Sequence, residues 1–152
     1  YKGEADWSLI AAVKNNPLVT IPVFGNGDID SPEKALEYKN RYGVDGIMIG
    51  RGAIGAPWFF RQVKNYFATG DAGSPPDMAE RIKAVRTHLR HSIEWKGERL
   101  GIVEMRRHYA NYFRGLPHFK EHRLALVTLD NPEALEAKLS EIAERFGEHV
   151  FA

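Results

Sequence analysis

Apolar side chains along the chain follow two kinds of spacing, and the change falls near residue 71. In the first part, short apolar runs alternate with stretches of helical period. Trp7, Ile10, Ala11 and Lys14 lie three and four apart behind Asp6 in an N-cap position, and Pro17 closes the pattern, so residues 7–15 are predicted helical. Residues 18–24 are apolar and rich in β-branched side chains between Pro17 and Gly25, which predicts a buried strand. Ser31-Pro32-Glu33 supplies a cap, a proline at the first helical position and an acidic first turn. A helix over 33–42 follows, with Ala35, Leu36 and Tyr38 inward, and Gly43 stops it. Residues 44–50 predict a second short strand, 52–55 a tight turn, and Pro57 the opening of a helix with Phe60, Val63 and Phe67 on one face. Two short apolar strands separated by a helix argue for a parallel sheet.

Residues 71–76, Asp-Ala-Gly-Ser-Pro-Pro, read as a linker between a part spanning 1–70 and a second domain spanning 77–152. Beyond it, Ile82, Val85, Leu89 and Ile93 recur at helical intervals over 77–96. Gly97 and Gly101 break that pattern, and 102–114 resume it with Val103, Tyr109 and Phe113. After Gly115-Leu-Pro117, residues 118–127 are predicted helical. Asp130-Asn-Pro132-Glu133 starts a last helix over 133–146 with Leu135, Leu139, Ile142 and Phe146. The second part is thus predicted to be a bundle of about four helices. No internal repeat or low-complexity tract interrupts it.

Composition narrows the chemistry. The 152 residues include no Cys, which excludes disulfides, thiolate metal sites and cysteine nucleophiles within this chain and is compatible with a reducing cytosol. No run approaches the roughly 20 apolar residues of a membrane span, and no basic-apolar leader opens the chain. The first residue is Tyr, so the expectation is a processed product or a piece of something longer. The net charge of +1 hides an asymmetry. Residues 81–123 hold eleven Lys and Arg against four Asp and Glu, with five of the six His. Residues 1–80 and 124–152 are net acidic. The basic stretch fits either a solvated helical surface or an anionic partner.

Each strand runs into a glycine turn: Gly25-Asn26-Gly27-Asp28 after the first, Gly50-Arg51-Gly52 after the second. In a parallel α/β protein both turns lie at the carboxyl ends of neighbouring strands, where ligands bind. Glycine lets backbone N–H groups approach an anion, a short helix after the second strand would add its N-terminus, and Arg51 can add a guanidinium. Together they describe a phosphate cradle on the last two strands of a (β/α)8 barrel. Either turn alone is ordinary turn chemistry. Asp28 also fits a simple cap, and Asn26 a bond to its own backbone.

Three motifs, Tyr1-Lys-Gly-Glu-Ala-Asp-Trp7, Ile21-Pro-Val-Phe-Gly-Asn-Gly-Asp-Ile29 and Asp45-Gly-Ile-Met-Ile-Gly-Arg-Gly-Ala53, with Gly55-Ala-Pro-Trp58, resemble the tRNA-dihydrouridine synthases, closest to the bacterial B-type, NifR3-like branch. Met105-Arg-Arg-His-Tyr109 and Tyr112-Phe-Arg-Gly-Leu-Pro117 resemble that family's C-terminal helical domain more loosely. The resemblance implies a cytoplasmic flavoprotein oxidoreductase that binds FMN at the mouth of a TIM barrel. With hydride from NADPH it reduces uridine in tRNA. It implies cofactor contacts at Asn26, Gly27, Asp28, Gly50 and Arg51, with Gly25 and Gly52 flanking. The family's catalytic cysteine, and the Lys and His that contact the isoalloxazine, lie upstream of the matched motifs. The expectation is therefore a C-terminal portion of such an enzyme: part of an α/β barrel followed by an all-α tRNA-binding bundle. By itself it would be inactive, and its unpaired strand edges would be open to self-association.

Lys83, Arg86 and Arg90 share one helical face, Arg106, Arg107 and His108 fan out in sequence, and Lys120 and Arg123 lie a turn apart. These are the candidate contacts to tRNA phosphates, read by shape. Tyr109, Tyr112 and Phe113 interleave with them but at helical spacing fit a bundle core better. His88 and His91 lack an obvious third metal ligand and fit a solvated surface better. Two other readings stay open: a phosphate- or FMN-binding barrel acting on a small molecule, and a non-catalytic RNA-binding module.

Overall fold

The computed structural model describes residues 3–151, so Tyr1 and Lys2 of the first motif, and Ala152, lie outside the described residues. The chain divides into two compact units, Tyr1–Gly73 and Ser74–Ala152, and the division falls inside the segment read as a linker.

The first unit runs α1 (Trp7–Lys14), β1 (Phe24–Asn26), α2 (Pro32–Tyr42), β2 (Gly46–Met48), a 3-10 turn (Arg51–Ala53) and α3 (Phe59–Thr69). Its caps are those the sequence signals. The Asp6 carboxylate accepts the Ser8 N–H, the Ser31 hydroxyl accepts the Lys34 N–H, and Gly43 ends α2 in left-handed backbone at φ 66°. The strands pair in parallel, Phe24 opposite Gly46 and Asn26 opposite Met48. Ahead of the ladder, the Asp45 carboxylate accepts the Val23 N–H at 2.7 Å and grips Lys14 Nζ, so one side chain ties α1, the approach to β1 and the start of β2. Those two bonds, Lys14 first, lower the Asp45 pKa.

Trp7 organises this unit's core with Ile29, Ala35, Val44, Phe59 and Val63. Its ring lies 5.0 Å from Tyr38 and 5.6 Å from Tyr42 and rests on the β1 backbone at Gly25. A Cβ at Gly25 would stand 2.0 Å from a Trp7 ring carbon, so glycine there is a packing requirement.

Several expectations are corrected. Residues 18–23 lie outside β1, and Leu18 and Ile21 are exposed, because a β-branched run becomes a strand only where a neighbour completes the ladder. The second strand shrinks from 44–50 to Gly46–Met48 for the same reason. Helix α3 begins at Phe59 after a turn through Pro57 and Trp58, and its buried face is Phe59 and Val63, while Phe60 and Phe67 stay exposed. The expected turn at 52–55 is the 3-10 turn Arg51–Ala53.

The second unit is α4 (Met78–Lys96), α5 (Glu98–Tyr112), α6 (Lys120–Thr128) and α7 (Pro132–Phe146). The Asp77 side chain caps α4 and that of Asn131 caps α7. Met78, Val85, Ile102, Met105, Tyr109, Phe113, Leu126, Leu135, Leu139 and Ile142 are wholly buried. Gly101 does not break the helix as the sequence suggested. It lies inside α5, where a Cβ would be 2.7 Å from the Ile93 backbone, so it allows α4 and α5 to approach closely. Helix α5 accordingly spans Glu98–Tyr112 rather than 102–114, and Val103 faces outward. The expected 118–127 helix is α6, Lys120–Thr128. Among the described residues no helix is long and apolar enough to cross a membrane.

Candidate functional site

Parallel pairing of β1 and β2 places both glycine turns at the same end of the sheet. After β1 the backbone turns through Gly27 (φ 141°) and Asp28 (φ 51°). Glycine takes the first of these freely, and Asp is among the few other residues that tolerate the second. A Cβ at Gly27 would sit 2.3 Å from that of Ala5, and the Gly27 carbonyl accepts the Trp7 indole N–H at 3.0 Å. The turn is thus clamped from below by the core tryptophan.

After β2, Gly50 leads into the 3-10 turn, and a Cβ placed on Gly50 would meet open space. The three-residue turn, closed by Ala53 N–H to the Gly50 carbonyl, is too short to supply the helix N-terminus foreseen from the sequence. Arg51 reaches back across the strands: its Nη2 stands 2.5 Å from Asp28 Oδ1, while Asp28 Oδ2 accepts the Ala5 N–H at 2.7 Å. The Arg51 side chain is 64% exposed. The two turns are therefore joined. Arg51 supplies the cation of the site and Gly50 its unobstructed backbone, while Gly27 is packed against Ala5 and Trp7. The Asp28 carboxylate is engaged in holding Arg51 and the chain before α1. As an anion it is suited to aiming the guanidinium rather than to touching a phosphate.

The basic residues of the second unit separate into two groups. Arg86 pairs with Glu136 and donates to the Ser140 hydroxyl at 2.8 Å, which fastens α4 to α7. Arg106 donates to the Leu129 carbonyl at the end of α6. These two serve the bundle's own packing. Lys83, Arg90, Arg107, Lys120 and Arg123 are exposed, Arg90 beside Glu94 and Arg107 beside Glu104. His108 is half-buried, accepts the Arg107 Nε–H at Nε2, and lies 4.7 Å ring to ring from His88, which meets the Tyr112 hydroxyl at 3.0 Å. Burial first, then neighbouring positive charge, lowers the pKa of both histidines. Tyr109, Tyr112 and Phe113 are core, and burial raises both tyrosine pKa values to about 12. Among the described residues no three His, Cys, Asp or Glu gather as a metal site.

Sequence reasoning missed Arg81. It is buried, donates to the Pro76 carbonyl at 3.1 Å and the Tyr112 carbonyl at 3.0 Å, and lies 3.5 Å from the Phe151 ring centre. It also missed Trp95, a tryptophan left open to solvent. Its position three after Met78 and four before Val85, on the apolar face of α4, is the signal that could have marked Arg81 in advance. Nothing in the sequence marks Trp95.

A family model described as dihydrouridine synthase (Dus) matches residues 1–147. Among curated relatives, a probable tRNA-dihydrouridine synthase of Rickettsia conorii is 40% identical over 141 residues, 93% of this chain and 42% of that protein. A tRNA-dihydrouridine synthase B of Shewanella oneidensis is 46% identical over 112 residues, 74% of this chain and 34% of that protein. The tRNA-dihydrouridine synthase B of Pseudomonas aeruginosa is 39% identical over 146 residues, 95% of this chain and 43% of that protein. The chain thus spans about two-fifths of the length of such relatives.

Proposed function

Because the chain belongs to the dihydrouridine synthase family, we propose that it serves an intact enzyme that reduces uridine to dihydrouridine in tRNA. In that reading the first unit supplies the phosphate end of an FMN site on two strands of a (β/α)8 barrel. The second unit binds tRNA. The observation that supports it is the Asp28–Arg51 contact, which joins the glycine turns after two paired parallel strands. An exposed guanidinium beside the Gly50 backbone, where a Cβ would meet open space, fits a terminal phosphate.

FMN, when bound and reduced by NADPH, supplies the hydride for the uracil ring. This chain's part is to hold and orient. Arg51 neutralises the phosphate, Asp28 aims Arg51, Trp7 fixes the Gly27 carbonyl, and Asn26 at the end of β1 lies within the same turn. The exposed cations Lys83, Arg90, Arg107, Lys120 and Arg123 attract the tRNA backbone. The chain holds no Cys to protonate a reduced ring, so residues 1–152 alone are expected to form no dihydrouridine. The free edges of β1 and β2 offer a route to self-association, which sedimentation reads.

The test joins this chain to the preceding portion of the Pseudomonas aeruginosa relative. Arg51→Ala should weaken FMN binding about tenfold or more and leave riboflavin, which has no phosphate, unchanged. Equal loss for both flavins contradicts the cradle. Absence of salt-dependent tRNA binding contradicts the tRNA assignment and favours a small-molecule substrate.

A further inference from the structure

Burial has removed Tyr109, Tyr112 and Phe113 from any role in contacting RNA, since all three lie within the bundle core. Trp95 is the reverse case. It sits at the last turn of α4, just before the Gly97 reversal into α5, and is 86% exposed. Among the described residues it is the only exposed Trp, Tyr or Phe of the second unit. A tryptophan offers about 150–250 Å² of largely apolar area, and leaving that in water is unfavourable unless something else covers it.

Its surroundings define what that is. His91, one turn earlier on the same face of α4, is exposed, and so is Arg99 just past the reversal; neither has an ion-pair partner among the described residues. Lys96 Nζ lies 5.9 Å from the Trp95 ring centre. Of the nearby carboxylates, Glu94 faces Arg90 and Glu104 is held by Lys96, leaving Glu98 at the tip. An open groove of about 490 Å³ runs beside the reversal, lined by Lys96, Gly97, Glu98, Arg99, Leu100 and Val103. The hairpin belongs to the 81–123 segment, whose net charge is +7. An exposed aromatic plane among cations suits a flat apolar ring attached to an anionic backbone, which is the chemistry of an unpaired nucleotide. A purely apolar protein partner would not require the cations.

Resting on the tRNA reading above, we propose that Trp95 is a stacking platform for an unpaired nucleobase of the bound RNA, with His91, Lys96 and Arg99 receiving the adjoining phosphates. Stacking supplies affinity without reading sequence, since every base has a π-face.

The experiment measures binding of a labelled tRNA transcript by the 152-residue chain across a range of salt concentrations. Trp95→Ala should weaken binding about tenfold at every salt concentration without changing the slope of log affinity against log salt, because no phosphate contact is removed. Trp95→Phe should retain most of the affinity, and Arg99→Ala should lower the slope. Tryptophan fluorescence of the unsubstituted chain should be quenched by RNA and that of Trp95→Phe much less. Unchanged affinity in Trp95→Ala overturns the platform while leaving the tRNA reading intact. A change confined to self-association assigns the face to a second copy and likewise overturns it. Failure of the unsubstituted chain to bind tRNA overturns both.

Discussion

Leu18, Ile21, Phe24 and Met48 of the first unit are each at least 57% exposed, whereas ten large side chains of the second unit are wholly buried. The contrast follows from how each architecture closes. A two-stranded sheet has a covered face only where helices lie on it, and here Trp7, α2 and α3 cover one side. The four helices of the second unit bury one another's apolar stripes by local hairpin contacts, so that core is complete within its own segment. The first unit leaves a sheet face and edge uncovered; the second closes on itself.

Core truncation tests this most severely. Met105→Ala removes a side chain with no exposure from the α5 face of the bundle and should destabilise the second unit by about 2–5 kcal/mol. Leu18→Ala, on an exposed side chain, should change stability by less than about 0.5 kcal/mol. Denaturant unfolding followed by circular dichroism distinguishes them. Comparable losses at the two positions would mean that the exposed face is covered in solution.

Gly25→Ala should come next. The added Cβ would overlap the Trp7 ring, which must shift, at a cost of about 1–3 kcal/mol to the first unit. Because Trp7 also donates to the Gly27 carbonyl, the same substitution should displace the first glycine turn and weaken FMN in the joined enzyme described above. Trp7 fluorescence and flavin titration are the readouts. Loss of stability with intact flavin affinity would separate the core from the cradle.

These positions also show what was legible in the sequence. Caps were plain at Asp6, Ser31 and Gly43 because capping is local, satisfied within three residues. The glycine turns were legible as a pair, since strand–turn spacing is also local. Strand length was not, because pairing depends on a neighbour distant in sequence. On α3 the inward place of Val63 was legible, but Phe60 was taken for Phe59 within a run of consecutive aromatics, where periodicity has no anchor, and Phe67 is exposed. Gly101 looked like a breaker because glycine signals both a turn and a close helix approach, and only packing separates the two. Arg86 and Arg106 read as candidate RNA contacts, yet they bond Ser140 and the Leu129 carbonyl, partners far along the chain, and the buried Arg81 drew no reading at all.

Histidine titration sharpens the contrast with the smallest effect. All six His lie in the second unit and none in residues 1–73. Burial lowers the pKa of His88, His108 and His122, with Arg107, His91 and Lys96 adding to the effect on His88. Around His88 and His108 stand Glu104, which works the other way on His108, and the neutral Tyr112 hydroxyl. A histidine whose pKa is depressed by folding binds its proton more readily when unfolded. Stability is therefore fully present above the ordinary value of about 6.5, falls as pH drops through it, and levels off below the folded-state value. The lowered carboxylates, Asp6 and Asp45 in the first unit and Glu104 and Glu141 in the second, lose their contribution only at more acidic pH. Between about pH 7.5 and pH 5.5 the second unit alone should lose stability, read by unit-resolved hydrogen exchange. His88→Gln, which can still bond the Tyr112 hydroxyl, should flatten that dependence. An equal slope in the first unit would show that the two do not unfold independently.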